Sequence, residues 1–229
     1  RYGTVTGVQT CALPISGSFA KLGGSVSATY STLMLSCAGQ SCCAVVLRGG
    51  SQALTCWGKG DKGSLGMGDN ADSKYRKNIG TGNSAGFMSW QERYSYALTG
   101  FAVSTGSWIP RTVSMAVEMG CAVSTDGGVY CWGQNMYGSI GVGTSSATQL
   151  YYGVSAVDVG GLAKTVNCYN FVCCVVMSGT YRVKCWGSGA NGRLGVGLND
   201  VGSTLNSMGL NLRPVDLGKN SLAMDVNVG

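Results

Sequence analysis

Short apolar runs, each long enough for one β-strand, recur along the chain and precede three similar segments. They occupy residues 21–35, 112–119 and 157–172, and each leads into a stretch that begins and ends with cysteine. Short apolar runs bounded by turn residues are typical of β-strands, and no run reaches the roughly 18 residues of a membrane helix. The pattern therefore predicts an all-β protein without a membrane-spanning segment.

The three segments share one repeat motif. Their tails read WGKGDKGSLGMG, WGQNMYGSIGVG and WGSGANGRLGVG, and all fit W-G-x4-G-x-[LI]-G-x-G. We assign the motifs to residues 43–68, 121–143 and 174–197. Successive motif tryptophans are 75 and then 54 residues apart, and a unit near 50 residues suits a four-stranded propeller blade. The repeated structural positions are Trp57, Trp132, Trp186, Gly58, Gly133 and Gly187.

The end of the chain repeats the approach to a motif once more. Residues 214–229 match the stretch before the third motif and stop where the next cysteine is expected. Between the first two motifs, residues 69–111 form an insertion. We expect about three to four blades of four antiparallel strands, cut from a longer propeller.

The first residues do not fit the repeat. Residues 5–15, VTGVQTCALPI, resemble a sequencing-library adapter translated in one frame. We expect residues 1–15 to be foreign to the fold and residues 16–229 to form the truncated propeller. On this interpretation the natural N-terminus is missing, so a signal peptide cannot be observed.

The cysteines that open and close each motif predict β-hairpins. If Cys121 faces Cys131, residues 125–127 form a three-residue loop whose glycine can adopt a left-handed conformation. If Cys174 faces Cys185, the loop is Gly179-Thr180, as in a type II′ turn. The first copy, with Cys43 opposite Cys56, leaves residues 48–51 as the loop.

Opposed residues on antiparallel strands lie within disulfide reach, with Cα atoms roughly 4.5 to 5.5 Å apart. Apart from Cys11 the chain has ten cysteines, and a C-x4-C pair precedes the first and third motifs but not the second. Buried thiols and a metal site are the alternatives, but the chain has no histidine and no C-x2-C pair. Five bridges imply an oxidising compartment. The vicinal Cys42-Cys43 and Cys173-Cys174 leave other connectivities open. The proposed pairs are Cys37–Cys42, Cys43–Cys56, Cys121–Cys131, Cys168–Cys173 and Cys174–Cys185.

The Trp-Gly tails, preceded by Cys-Ala-Val and an Asp-Gly turn, resemble the regulator of chromosome condensation (RCC1) repeat family. The resemblance implies a β-propeller, usually of seven blades. The cysteine-rich form resembles repeats of secreted or surface proteins, whereas the best-known activity of the family is nucleotide exchange on a small GTPase. Where the family often has histidine before the cysteine segment, this chain has Ser41, Met119 and Val172.

The composition argues against nucleic-acid binding and catalysis. The 16 basic and 10 acidic residues are scattered, and histidine is absent, so neither a nucleic-acid face nor a set of catalytic residues is visible. The glycine-rich tails lack the Lys-Ser/Thr ending of a phosphate loop. One tryptophan per repeat favours packing between blades over an aromatic binding ring. We expect no catalytic residue, no metal and no cofactor.

The best binding candidates lie in the insertion, because loop aromatic and arginine residues are typical binding hot spots. The alternative is that part of the insertion, residues 95–103 in particular, supplies ordinary blade strands. We expect a secreted or surface-exposed module that binds a protein partner. The alternatives are an exchange-factor-like regulator of a small GTPase and a polysaccharide-active enzyme. The candidate residues are Trp90, Tyr94, Tyr96, Trp108, Arg76 and Arg93.

Overall fold

The structure is a computed structural model, and it describes residues 30–39, 41–48, 51–58, 61–66, 108–146 and 150–229. Within these ranges the chain forms ten strands in three antiparallel sheets, joined by turns and short 3-10 helices. The sheets are successive propeller blades that do not close into a ring, so the expected all-β partial propeller is confirmed. In the described ranges, no helix has the length and apolarity needed to cross a bilayer.

Each sheet is a meander in which consecutive strands are neighbours. The first blade contains β1 (Tyr30–Ala38), β2 (Ser41–Arg48) and β3 (Ser51–Gly58). The second contains β4 (Pro110–Ala116), β5 (Met119–Ser124), β6 (Val129–Gln134) and β7 (Leu150–Val157). The third contains β8 (Ala163–Tyr169), β9 (Val172–Met177) and β10 (Val183–Gly187).

The outer edge of the third blade carries a reduced form of a fourth strand. Lys184 forms an isolated bridge with Pro214, in the repeat position where Tyr130 of β6 pairs with Ala156 of β7. The residues after Pro214 then follow the course of the residues after Ala156, and Asp216 accepts a hydrogen bond from the N–H of Gly218, as Asp158 does from Gly160. The chain thus enters a further repeat here.

The hairpin predictions hold at the cysteines and differ at two of the turns. Cys43 opposes Cys56, Cys121 opposes Cys131 and Cys174 opposes Cys185. The loop at residues 125–127 is as expected, and the N–H of Ser124 bonds the Gly128 carbonyl at 2.9 Å. In the first copy Arg48 pairs with Ser51, so the pairing extends one residue further on each strand than predicted.

In the third copy the expected two-residue turn is wrong, because the loop spans residues 178–181. Met177 and Arg182 close it, with the Met177 N–H bonding the Arg182 carbonyl at 2.9 Å. Gly179, at φ 78°, forms a γ-turn in which the Thr180 N–H donates a hydrogen bond to the Ser178 carbonyl. Tyr181 follows at φ 54°. A compact turn with a second left-handed residue replaces the type II′ geometry.

The hydrophobic core lies between blades rather than within one sheet. One cluster joins the first and second blades through Leu54 and Trp132, and a second joins the second and third blades through Val123 and Trp186. A third covers the far face of the third blade, where Val215 and Val226 pack near Val176. Each blade is therefore stabilised chiefly by its neighbours, as in repeat proteins generally.

Candidate functional site

Two of the three repeat tryptophans, Trp132 and Trp186, join successive blades. Trp132 and Trp186 are fully buried, and the indole N–H of Trp132 donates to the Ser64 carbonyl at 2.9 Å. The indole of Trp186 makes the same bond, also 2.9 Å, to the Ser139 carbonyl. Ser64 and Ser139 occupy the same place in consecutive motifs, so each tryptophan bonds the tail of the preceding repeat. Trp57 lies on β3 opposite Cys42.

The fixed glycines of the motif make room for this packing. A Cβ on Gly66 would lie 3.1 Å from the ring of Trp132, and one on Gly141 would lie 3.0 Å from the indole nitrogen of Trp186. Gly133 and Gly187, both at φ 103°, follow the tryptophans, and a Cβ there would strike the carbonyl of Glu118 or Phe171. Gly66 and Gly141 therefore allow contact between blades, whereas Gly133 and Gly187 allow close approach of strands within one blade.

A second repeated contact joins the first strands of the blades, and the sequence motif does not reveal it. The Ser36 hydroxyl accepts a hydrogen bond from the Met115 N–H at 2.8 Å, and the Ser114 hydroxyl accepts one from the Cys168 N–H at 2.8 Å. The amide oxygen of Asn167 accepts from the Val228 N–H at 2.8 Å. Ser36, Ser114 and Asn167 each stand opposite the first motif cysteine of their blade.

Five disulfides close the strand pairs. Three link the two cysteines of each motif, and two link the first and second strands of the first and third blades. The pairs are those that the sequence predicted, namely Cys37–Cys42, Cys43–Cys56, Cys121–Cys131, Cys168–Cys173 and Cys174–Cys185. The second blade has Met115 and Gly120 where the third has Cys168 and Cys173, so it lacks the additional bridge.

Most of the predicted binding residues, namely Arg76, Trp90, Arg93, Tyr94 and Tyr96, lie outside the described residues. Trp108 is described, and only 7% of its side chain is exposed. Its ring stacks on Tyr130, with the centroids 4.5 Å apart and the planes 8° apart. Trp108 therefore packs against the second blade, and its ring faces are not available to a partner.

Five of the described carboxylates accept hydrogen bonds from backbone N–H groups. Asp158, Asp200, Asp216 and Asp225 each accept a hydrogen bond from a nearby backbone N–H, at 2.8 to 2.9 Å. Asp126 accepts hydrogen bonds from the Ser124 hydroxyl and the Gly128 N–H. These bonds, that of Ser124 first, lower the pKa of Asp126 because they stabilise its ionised form.

Two further groups have shifted pKa values, and burial is the main cause in both. Burial raises the pKa of Tyr130, beneath Trp108. Burial also lowers the pKa of Lys184, although the Asp158 charge acts in the opposite direction. The Lys184 ammonium donates to the Val159 carbonyl at 2.7 Å, so it fastens β10 to the chain that leaves β7.

Exposed apolar side chains gather where β4, β6, β8 and β10 end, a region that we call the turn surface. Tyr137 lies in the tail of the second motif, 41% exposed, and its ring contacts Phe171 with centroids 6.0 Å apart. Leu205 is 80% exposed beside Gly143. Loop positions on a rigid scaffold are where proteins usually carry binding residues. The turn surface comprises Val117, Tyr137, Tyr169, Leu198 and Leu205.

Comparison with solved structures identifies the architecture. The chain is similar to human WBSCR16, with 14% identity and a TM-score of 0.51 over 70% of this chain and 35% of that one. It is similar to yeast RCC1 (Prp20) bound to Kap60, with 14% identity and a TM-score of 0.55 over 80% and 37%. Prp20p of Saccharomyces cerevisiae also matches, with 13% identity and a TM-score of 0.53 over 75% and 37%.

These similarities show the RCC1-like propeller fold. At this level of identity they show the fold alone, since one fold supports many functions. The chain spans little more than a third of each matched protein. No protein-family model matches the sequence, and no curated protein matches it.

Proposed function

We propose that this chain is a non-enzymatic protein-interaction propeller that works in an oxidising compartment, outside the cell or at its surface. The observation that carries the proposal is that the repeated residues have structural roles, whereas the exposed loop side chains do not. Trp132 and Trp186 are buried between blades, the cysteines of the motifs are closed in bridges, and five of the described carboxylates accept hydrogen bonds from backbone N–H groups. The residues that remain for function are exposed side chains on loops.

The five disulfides support the proposed location in an oxidising compartment. Disulfides persist in oxidising environments and are rare in the reducing cytosol. Three of them close short hairpins, with sequence separations of 10 to 13 residues. Such bridges stiffen the strand pairs that carry the exposed loops, and a rigid scaffold loses less entropy on binding.

The turn surface and the insertion are the proposed contact regions. In the insertion the proposal retains Arg76, Trp90, Arg93, Tyr94 and Tyr96, because aromatic and arginine side chains dominate binding energies at protein interfaces. Solved RCC1-like propellers include yeast RCC1 (Prp20) in complex with Kap60. This complex supports the proposal, since a protein of this fold has been found bound to another protein.

Paired variants test the proposal. Tyr137→Ser with Leu205→Ser alters the turn surface, whereas Leu162→Ser with Met224→Ser removes side chains of similar exposure at the opposite end of the blades. Each immobilised variant is incubated with secreted proteins from the source culture, and retained proteins are quantified. We expect a protein retained by the wild type and the control pair but lost from the turn-surface pair. Identical retention by all three would exclude the turn surface, and Trp90→Ala then tests the insertion.

The similarity to yeast RCC1 favours one alternative, an exchange-factor-like regulator of a small GTPase. It predicts that the oxidised chain accelerates release of a fluorescent guanine nucleotide from a Ran-class GTPase. The interaction-module proposal predicts a release rate equal to the intrinsic rate. Acceleration that depends on propeller concentration would replace the first proposal with the second.

A further inference from the structure

Two disulfides from neighbouring blades meet at the boundary between the second and third blades. The Sγ atoms of Cys121 and Cys173, which belong to different bridges, are 3.6 Å apart. The sulfurs of Cys121, Cys168 and Cys173 all lie within 4.8 Å of one another. The fourth sulfur is that of Cys131, which is bonded to Cys121. All four side chains are at most 4% exposed.

The register of the strands places these sulfurs together. Cys121 faces Cys131 across β5 and β6, and Cys168 faces Cys173 across β8 and β9. The hydrogen bond from the Cys168 N–H to Ser114 brings β8 against β4. Backbone pairing therefore fixes the four Cα positions whether or not the sulfurs are bonded to each other.

The boundary between the first and second blades lacks this group of four cysteines. Comparing the two boundaries shows what Cys168 and Cys173 add. Between the first and second blades the Cys43–Cys56 bridge shares a cluster with Met115, which stands where the next repeat has Cys168. Gly120 stands where the next repeat has Cys173. Of the two boundaries in the described part of the chain, only that between the second and third blades has four cysteines.

We propose that Cys121, Cys131, Cys168 and Cys173, once both bridges are reduced, form a tetrahedral site for one thiophilic divalent ion of the zinc class. A four-sulfur zinc site has Zn–S distances of about 2.3 Å, which places its sulfurs about 3.8 Å apart. The 3.6 Å contact between Cys121 and Cys173 is already close to that separation. Rotation of the side chains after the S–S bonds break separates the sulfurs within each pair. The same four residues can thus stabilise this region either through two disulfides or through one bound metal ion, but not through both at once.

The chemistry balances with a phosphine as the reductant. For each bridge, the phosphine supplies two electrons and takes an oxygen atom from water, and the two protons of that water complete two thiols. The metal ion then displaces up to four protons from the four thiols, because thiolates are the ligands.

Cys174 and Cys185 provide a matched control. They form one bridge in the third blade, but their side chains belong to the cluster on its far face. Replacing Cys174 and Cys185 by serine removes the same number of cysteines as replacing Cys168 and Cys173. The first change leaves the four-sulfur group intact, and the second removes half of it.

The experiment uses the full chain, reduced with a phosphine and kept anaerobic, with Co²⁺ as a spectroscopic probe and Zn²⁺ as its competitor. We expect the wild type and C174S/C185S to bind one more ion per chain than C168S/C173S. Its bands should be those of tetrahedral, thiolate-bound cobalt and should disappear when Zn²⁺ is added. C121S/C131S should lose the same ion, and the oxidised wild type should not bind it.

Three results would overturn the site. The reduced wild type could retain no ion, C168S/C173S could bind as many ions as the wild type, or the C174S/C185S control could lose binding to the same degree. Equal loss would mean that the cysteines bind metal as an unfolded, non-specific set. The proposal does not depend on the interaction function, because metal uptake is measured without a protein partner.

Discussion

The side-chain oxygen of Ser114 accepts a hydrogen bond from the backbone N–H of Cys168, with the two atoms 2.8 Å apart. This bond joins the first strand of the second blade to the first strand of the third. Ser36 makes the same contact one blade earlier, and Asn167 makes it one repeat later. The blades are therefore held together by polar contacts as well as by apolar packing.

Replacing Ser114 by alanine should lower the free energy of unfolding. The Cys168 N–H would remain buried without its acceptor, and an unsatisfied buried donor costs about 1–3 kcal/mol. Chemical denaturation at equilibrium measures the change. The exposed Ser178 serves as the control, since its replacement by alanine should change stability by less than about 0.5 kcal/mol. Equal effects at the two positions would contradict the account.

Trp186 contributes both packing and a hydrogen bond. Trp186→Phe keeps most of the ring but leaves the Ser139 carbonyl without its donor, and we expect a loss of about 1–3 kcal/mol. Trp186→Ala also leaves a cavity and should cost about 3–5 kcal/mol. Urea unfolding of both variants separates the two contributions. If the phenylalanine variant were as stable as the wild type, the bond to Ser139 would be unimportant.

Alanine substitutions at Gly187 and Gly197 distinguish two causes of destabilisation, namely steric overlap of the new Cβ and an unfavourable backbone conformation. Both have positive φ values, 103° and 136°, but a Cβ would meet the Phe171 carbonyl only at Gly187, whereas nothing lies within 4 Å at Gly197. Alanine at Gly197 introduces conformational strain alone, of about 1–3 kcal/mol. Alanine at Gly187 adds displacement of β9, so its thermal unfolding midpoint should fall further. Similar midpoints for both variants would contradict this interpretation.

Much of this fold can be predicted because the repeat carries redundant information. Cysteines that stay opposed despite three different loop lengths identify hairpins, and tails that fit one pattern identify repeated blades. The contacts of Ser36, Ser114 and Asn167 could not be predicted in this way, because the side chain is not the same in all three repeats and the partners lie 54 to 79 residues away. Nothing in the sequence marks a hydrogen bond across blades.

Besides the shorter loop of the first copy, two local expectations differ from the structure for physical reasons. The pattern around Gly179 was compatible with a two-residue turn, but Tyr181 adopts a left-handed conformation that is rare for its residue type. Trp108 was indistinguishable from the other aromatic residues of the insertion, yet it lies just before β4, where Tyr130 covers it. Burial of one aromatic residue depends on its neighbours in space, which a single sequence does not provide.

Asp126 should make stability depend on pH. Its folded-state pKa is lowered from an unfolded value of about 3.9, so its stabilising contribution is fully present above that value and is lost as the pH falls through the folded-state pKa. Urea midpoints at a series of acidic pH values should therefore fall more steeply for the wild type than for Asp126→Asn. Ser124→Ala, which removes the main cause of the shift, should also flatten the profile. Equal slopes in all three proteins would contradict the assignment.

Disulfide mapping tests the central claim most directly, because the proposed function rests on a scaffold closed by bridges. The protein is alkylated before any reduction, digested and analysed by mass spectrometry. We predict that five cross-linked pairs will be recovered, Cys37–Cys42, Cys43–Cys56, Cys121–Cys131, Cys168–Cys173 and Cys174–Cys185, with none of these ten cysteines alkylated. Alkylation of these cysteines in protein recovered from its native compartment would contradict the account.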